Sequence, residues 1–489
     1  MGKRTDTKRP PGPRGGVPFF GLGFEAMRDL LGFFGDAARE HGDVVRFDFA
    51  PYTYVMLNSP ETIKHVLVDN AKNYVKGVNY KALQLVLGQG LVTSEGDFWR
   101  RQRKLAQPAF HRERLATFVE RMTEATAEML VRWGAYADRA TVDVHDEMMR
   151  VTLDIVGRTL LSQSLDDRAA GIGDAMAVAV RFAADYASNP FRMPLWVPAP
   201  QNLRFRRAMR ALDGLVRGVI AERRRSPGED KRDLLDMLMA ARDEETNEAM
   251  TDQQLKDEVM TIVTAGHETT ANAMSWTLYL LSKHPDVARR VSAEIDAVLG
   301  TRRPARGDLS KMPYAMAVLQ ESMRILPPVW SFERAALEDD VIGGYTIEKG
   351  TQIGVFPYVL HRHPRYWENP EGFDPERFLS GAERPRYTYL PFGGGPRVCI
   401  GNAFAMMEAQ ILLAMIVQRY RLELLPGARV AAEPVVTLRP RHGMPMMITP
   451  RAPSARDGAP QELLLDRGEG RRRADGVERG GAKPPVTLG

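Results

Sequence analysis

A lone cysteine set among glycines is the residue of this chain best placed to do chemistry. Cys399 is the single cysteine among 489 residues, and it sits in the run Pro391-Phe392-Gly393-Gly394-Gly395-Pro396-Arg397-Val398-Cys399-Ile400-Gly401. Three consecutive glycines and a proline cannot form a regular element, so the backbone here is shaped for close approach to something. Without context, a free cysteine is a small buried hydrophobe. Here the helix expected to begin just after it offers N–H groups to the sulfur, and Arg397 lies two residues before it. Both favour the thiolate, the form that attacks and that binds metal.

A second cluster lies mid-chain. Thr251 to His284 reads as one long helix, opened by a capping box at Thr251 and Gln254 and ended before Pro285. Its middle, Ala265-Gly266-His267-Glu268-Thr269-Thr270, places a glycine, an acid and hydroxyls inside an apolar stretch. The plain reading is one polar turn of an amphipathic helix, because Glu is a good helix former. Against it, glycine and adjacent β-branched threonines are poor helix choices, and a local distortion there is expected to free backbone carbonyls.

Two more groups are weak when taken alone. Glu321 and Arg324 stand at i and i+3, close enough to touch, as a solvated surface pair also would. Trp99 and Arg103 share one helix face within Phe98-Trp99-Arg100-Arg101-Gln102-Arg103-Lys104, which otherwise reads as a solvated basic helix.

Taken together, in this order and spacing, the four groups resemble the cytochrome P450 family. Phe392, Gly395, Arg397, Cys399 and Gly401 fill every fixed place of that family's cysteine-loop pattern. The resemblance covers residues 10 to 450. It implies a mainly α fold with a small β region, a triangular helical domain that clamps haem b. Cys399 is then expected to ligate the iron, Arg397 to pair with a haem propionate and Phe392 to pack beside the sulfur. Trp99 and Arg103 are expected to bind a propionate, as is Arg334 in Phe332-Glu333-Arg334-Ala335. Ala265 and Gly266 leave space over the iron, Thr269 hydrogen-bonds the dioxygen being reduced, and Glu268 relays protons to it. Glu321, Arg324 and Arg377 match the family's structural triad, and Val329, Trp330 and Phe332 its substrate pocket. Further substrate contacts are expected from Tyr74 to Leu91 and from Phe182 to Pro200.

The activity implied is insertion of one oxygen atom from O2 into a C–H (or C=C) bond of a lipophilic molecule such as a fatty acid, terpenoid or steroid. Electrons from NAD(P)H are expected to arrive indirectly, through a ferredoxin or flavodoxin with its reductase. Arg100, Arg101 and Lys104 point away from the haem on this reading and could dock such a partner. A haem-based sensor or electron carrier needs the cysteine loop but not proton delivery, so Glu268 and Thr269 disfavour it. They also disfavour a peroxide-driven variant.

Around these groups, Val44 to Phe49 and Tyr52 to Leu57 read as a hairpin. Residues 60 to 325 read as mostly helical. Val341 to Tyr345 and Thr351 to Val359 read as strands around a turn at Lys349 and Gly350, and a helix follows from Asn402 to Arg421. The domain reading is a Pro-rich basic lead-in at 1–18, a haem domain at 19–450 and a disordered tail at 451–489. His361 and His363, spaced by one residue, read as structural rather than metal-binding.

Hydrophobic residues at 44% and charged residues at 26% allow a large core. A formal charge of +5, spread among 62 acidic residues, disfavours nucleic acid as a partner. No run approaches the roughly 20 apolar residues of a spanning helix. One cysteine forms no intramolecular disulfide, which fits a reducing compartment. The expectation is a cytoplasmic monomer without a membrane anchor.

Overall fold

The computed structural model describes residues 8–13, 26, 28–49, 51–136, 139–166, 169–188, 193–225, 233–242 and 247–451. The described residues all belong to one compact unit, Met1–Pro453, and Ser454–Gly489 lie outside the described residues. The expected tail, apart from Arg451, and most of the lead-in at 1–18 therefore lie outside them as well.

Helices dominate. In chain order those that matter for the site are α1 (Leu30–His41), α2 (Tyr80–Leu87), α3 (Gly96–Ala106), α4 (Val119–Gly134), α5 (Val144–Leu160), α6 (Ala169–Ser188), α7 (Pro200–Arg225), α8 (Asp252–Lys283), α9 (Pro285–Leu299), α10 (Pro313–Ile325) and α11 (Asn402–Arg419). α8 is the axis of the body and packs against α5, α7, α10 and α11. It is buried on nearly every side, with Val259, Met260, Val263, Met274, Trp276 and Leu281 in the core. A helix that is apolar all round has no solvent face to lose, so it belongs in the middle of the molecule.

The ends of α8 fall where the residue types place them. The Gln254 N–H donates to Thr251 Oγ1 (3.3 Å) and the Thr251 N–H to Gln254 Oε1 (2.7 Å), which satisfies two otherwise orphaned amides. At the other end His284 is driven out of helical geometry by Pro285. The expected distortion near Gly266 is not there: α8 runs unbroken. The Thr269 and Thr270 hydroxyls donate back to the carbonyls of Ala265 (2.6 Å) and Gly266 (3.2 Å), so the polar groups are absorbed without opening the helix.

The main sheet has five strands. They are β1 (Val44–Phe49), β2 (Tyr52–Leu57), β3 (Tyr74–Lys76), β5 (Phe332–Ala336) and β8 (Gln352–Val355), in the order β1-β2-β8-β5-β3. β1 and β2 form the expected hairpin, in register from Val44 opposite Leu57 to Phe49 opposite Tyr52. Between β3 and β5, β4 (Thr141–Asp143) belongs to a separate sheet with β9 (Tyr420–Leu424) and β12 (Pro445–Pro450).

Two strand readings need correction. Val341 to Tyr345 is not one strand but a turn between β6 (Asp340–Ile342) and β7 (Tyr345–Ile347), because Gly343 and Gly344 both adopt positive φ. The strand from Thr351 stops at Val355, since Pro357 removes a ladder donor and opens a short helix, Pro357–Leu360. A last hairpin pairs β10 (Ala432–Pro434) with β11 (Leu438–Pro440). The helix from Asn402 ends at Arg419 rather than Arg421, because Tyr420 already belongs to β9.

Glu321 and Arg324 are fully buried and not a surface pair. The Arg324 guanidinium donates to both Glu321 oxygens at 2.8 Å, and Arg377 Nε donates to Glu321 Oε1 at 3.0 Å. The rest of Arg324 holds the carbonyls of His361, Pro370 and Gly372 at 2.6–2.9 Å. This network pins the irregular stretch 361–378 to α10. His361 Nε2 accepts the Leu390 N–H at 2.8 Å, so its proton is on Nδ1, and burial drives its pKa down to about 3, which keeps it neutral. His363 binds Asp43 (3.2 Å).

Breaking such a network leaves a buried charge without its partner. Glu321→Ala is expected to cost about 3–5 kcal/mol of unfolding free energy, read by guanidinium denaturation followed by circular dichroism. A loss under 1 kcal/mol would show that the network carries no folding load.

Candidate active site

The residues singled out by the sequence lie on two elements, the loop ending in Cys399 and the middle of α8. The loop folds back on itself, with the Cys399 N–H donating to the Phe392 carbonyl (3.0 Å) and the Val398 N–H to that of Gly395 (3.1 Å). Gly395 has φ +68°, and a Cβ there would stand 2.0 Å from the Leu67 carbonyl oxygen. No other residue type lets the loop seat this closely.

The Cys399 side chain is solvent-accessible, yet it is ringed by protein atoms. This burial pushes the thiol up, while the Gly401 N–H and the charge of Arg103 pull it down. A thiolate in such a setting therefore calls for a further cation. Arg103 Nη1 donates to the Val398 carbonyl at 2.7 Å, which ties α3 to the cysteine loop.

Beside the sulfur lies a surplus of positive charge. β3 and β5 are paired so that Lys76 stands directly opposite Arg334, a like-charge pair that a sheet ordinarily avoids. Arg397 completes the group. It pairs with Glu95, donates to the Ser94 carbonyl (3.3 Å) and lies 4.2 Å over the Trp99 ring. Lys76 Nζ donates to the carbonyls of Leu91 (3.2 Å) and Ser94 (3.0 Å). Burial, aided by the charges of Arg397 and Arg334, lowers its pKa to about 7. Burial lowers Arg397 as well, and Arg334 adds to the effect. Glu95 offsets these cations most directly and Glu258 also acts on Lys76, which leaves three cations facing two carboxylates, one of them held well above its ordinary pKa by burial.

In α8 the central turn is less covered than its flanks. Ala265 is exposed in the middle of an otherwise buried helix, and Gly266 and Thr269 are half-buried. Glu268 faces another way and is buried. Its Oε1 accepts the Thr437 hydroxyl (2.5 Å), which in turn accepts Asn272 Nδ2 (3.1 Å), and Thr437 lies on the β10–β11 hairpin. Burial raises the Glu268 pKa, opposed by the Thr437 hydrogen bond and the charge of Arg439. Glu408 of α11 lies against Thr270, and burial holds its carboxyl well above the ordinary range.

Trp330 does not belong to this site. It is buried among Phe34, Phe47 and Phe356, and its Nε1 is spent on the Val435 carbonyl at 3.0 Å. Val329 and Phe332 are half-buried, and the Arg334 guanidinium lies 5.5 Å from the Phe332 ring centre. Arg100 and Arg101 are turned outward and pair with Asp97 and Glu248. Part of the expected substrate region Phe182 to Pro200, residues 189–192, lies outside the described residues.

Sequence reasoning missed Lys76, Glu95, Glu408 and Thr437. Lys76 carries no motif of its own, and its place in the cation group follows from strand register alone.

The donor set suits a flat metallocycle bearing carboxylates. Cys399 would hold the metal, and Lys76, Arg334 and Arg397, the last over the Trp99 indole, would pair with the carboxylates. Fold and site thus define a haem-thiolate protein. The cytochrome P450 family model matches residues 10–442. The chain is 37% identical over 429 residues to cyclooctatin synthase of Streptomyces melanosporofaciens, covering 87% of this chain and 92% of that one. It is 35% identical over 419 residues to cyclooctat-9-en-7-ol 5-monooxygenase of the same organism, covering 84% and 89%. It is also 31% identical over 431 residues to LUTEIN DEFICIENT 5, a chloroplastic protein of Arabidopsis thaliana, covering 84% and 72%. The chain belongs to the cytochrome P450 family and is a P450 monooxygenase. Among the described residues no helix is long and apolar enough to cross a membrane.

Removing one cation tests the edge of the cradle. Lys76→Met is expected to speed haem loss to an apomyoglobin acceptor about ten-fold, the scale of one charge-assisted hydrogen bond. An unchanged rate would detach Lys76 from haem retention.

Proposed function

We propose that this enzyme inserts one atom of O2 into a C–H (or C=C) bond of a lipophilic small molecule. The other oxygen leaves as water, at the expense of two electrons and two protons. The observation that supports this reading is a solvent-accessible Cys399 in a glycine loop, together with a central helix whose one exposed residue in an otherwise buried turn, Ala265, lies four residues before the Thr269 hydroxyl and three before the buried acid Glu268.

In this reading Cys399 would hold the iron through its sulfur, and Gly401 and Arg103 would steady its charge. Lys76, Arg334 and Arg397, with Trp99 beneath Arg397, hold the carboxylate edge of the haem, and Phe392 packs near the sulfur. When bound, the haem supplies the reduction and splitting of O2, and the thiolate raises its electron density. Ala265 and Gly266 keep the space above it clear of side chains. Thr269 presents a hydroxyl at that space. Glu268, whose pKa burial raises, would pass a proton to that space while Thr437 fixes its carboxyl. Excluding bulk water keeps the delivery of protons in step with the delivery of electrons.

The substrate is a fatty acid, terpenoid or steroid, and the relative named for cyclooctat-9-en-7-ol favours an alcohol on a carbocyclic skeleton. Electrons come from NAD(P)H through a ferredoxin or flavodoxin and its reductase. A lone cysteine with no disulfide to form is consistent with a cytoplasmic enzyme.

The reduced, carbon-monoxide difference spectrum reports the proximal ligand directly. The wild type is expected to show the long-wavelength band of thiolate ligation, and Cys399→Ser to lose it. A wild type without that band would remove the assignment. Thr269→Ala is expected to leave reductant consumption running while most of it leaks to peroxide; product per electron equal to wild type would exclude Thr269 from proton handling.

Thr437 supplies a pH test. Its hydroxyl stabilises the charged form of Glu268, so Thr437→Val raises the Glu268 pKa further. The proton-donating form then persists to higher pH, and the alkaline limb of turnover is expected to move up. Superimposable profiles would separate Glu268 from the proton step.

A further inference from the structure

A cluster of buried polar groups lies outside the site just described, on the N-terminal half of α8. Asp257 and Glu258 are adjacent acids, both buried in the N-terminal half of this helix. Asp257 Oδ2 accepts the Gln89 N–H at 2.9 Å, and Glu258 Oε2 accepts the Leu91 N–H at 3.1 Å. Both donors belong to loop 88–94, which joins α2 to α3. Two neighbouring carboxylates thus hold two alternate amides of one loop, much as a strand edge would.

The loop's sequence is cut to fit. A Cβ on Gly88 would stand 2.3 Å from the Asp257 carboxyl, and one on Gly90 would stand 2.0 Å from Thr261 Oγ1 and 2.6 Å from the Asp257 carbonyl oxygen. Gly90 has no positive φ, so it is the closeness of α8 that demands glycine there. The other side of the loop is held too. The Leu91 and Ser94 carbonyls accept from Lys76, and the Ser94 carbonyl also accepts from Arg397. The same short segment therefore touches α8 with its amides and the cation group with its carbonyls.

Gly88 and Asp257 also line a cleft of about 430 Å3, together with Leu85, Phe205, Met209 and Lys256. Loop 88–94 stands between that cleft and the cation group. Lys256 bridges Asp213 of α7 (2.9 Å) and Asp257 (3.6 Å), so α7 joins the same arrangement.

A packing role does not account for Glu258. A leucine would fill the position in α8 without the cost of burying a carboxyl, and Glu258 Oε1 has no hydrogen-bond partner at all among the described residues. Burial, countered by the Leu91 amide, pushes its pKa up to about 7. Such a cost is retained where the group holds something in place.

We infer that Glu258 is a positioning residue: with Asp257 it latches loop 88–94 onto α8, and through that loop it fixes Lys76 and Arg397 at the haem edge. The latch also keeps the wall between the cleft and that edge closed. This inference rests on the cation group being the haem edge, and it is tested first by a measurement independent of that reading.

Hydrogen exchange of the holoenzyme is followed by mass spectrometry in wild type, E258A, E258Q and G90A. In E258A the Leu91 amide is expected to exchange about ten-fold faster, as for the loss of one hydrogen bond to a carboxylate, with α11 peptides unchanged. E258Q, whose amide oxygen still accepts, is expected to recover most of the protection. G90A keeps both carboxylates but drives a methyl group into Thr261, and is expected to match E258A.

The second arm measures the association of methyl and tert-butyl isocyanide with the reduced enzyme. Opening the wall is expected to speed the bulky ligand about five-fold in E258A and G90A and the small one less than two-fold, since loop opening gates size and not chemistry. Unchanged Leu91 exchange in both variants overturns the latch, as does faster exchange spread over the whole chain, or equal changes for the two isocyanides. The carbon-monoxide band of the wild type judges the haem-thiolate reading separately, so failure of one is not mistaken for failure of the other.

Discussion

Buried positive charge without enough negative charge to meet it is the constraint on which this structure turns. Lys76, Arg334 and Arg397 are brought together by a strand pair and a loop, and Glu95 offsets one of them. Arg397 and Arg334 help to lower the pKa of Lys76, and Arg334 that of Arg397. In a folded protein that arrangement persists where an anionic group completes it. The thiol of Cys399 has the converse difficulty, because burial disfavours the very anion that would be useful. Haem answers both at once, with carboxylates for the cations and iron for the sulfur.

Everything around the site holds those mismatched charges still. Glu321 and Arg324 anchor the stretch that leads into the cysteine loop, and Arg103 ties α3 to the same loop through Val398. The acids of α8 are spent in different ways: Asp257 and Glu258 on the backbone of loop 88–94, Glu268 on Thr437 of the β10–β11 hairpin. One helix thereby reaches two separate segments. The apolar packing around Met260, Met274 and Trp276 keeps it rigid enough to do so.

Much of this was legible from residue order. The capping box and Pro285 bound α8 by local chemistry, and the hairpin of β1 and β2 follows from alternation interrupted at Pro51. The cysteine loop announces itself through glycines whose spacing has no other use. Where the reading went astray, long-range contacts decided. Trp330 looked like a pocket aromatic from its neighbours in sequence, but a carbonyl of the far β10–β11 segment takes its N–H and the core takes its ring. The helix runs unbroken through Gly266, and the Thr269 and Thr270 hydroxyls find their partners in its own carbonyls. Glu321 and Arg324 are spaced as a surface pair would be, and burial alone sets them apart from one.

By itself, the sequence determined the chemistry available: one thiol in a loop too rich in glycine to be anything but a close approach, an acid and a hydroxyl inside a long helix, and the helix ends. Those are local facts, written in the conformational limits of neighbouring residues. Tertiary structure decided which charges share a space. Lys76 meets Arg334 because β3 pairs with β5 in one register, and Glu258 meets Leu91 because Gly90 lets the loop lie against α8. Charge interactions and burial depend on distance through space, and no pattern along the chain encodes that distance until the core has packed.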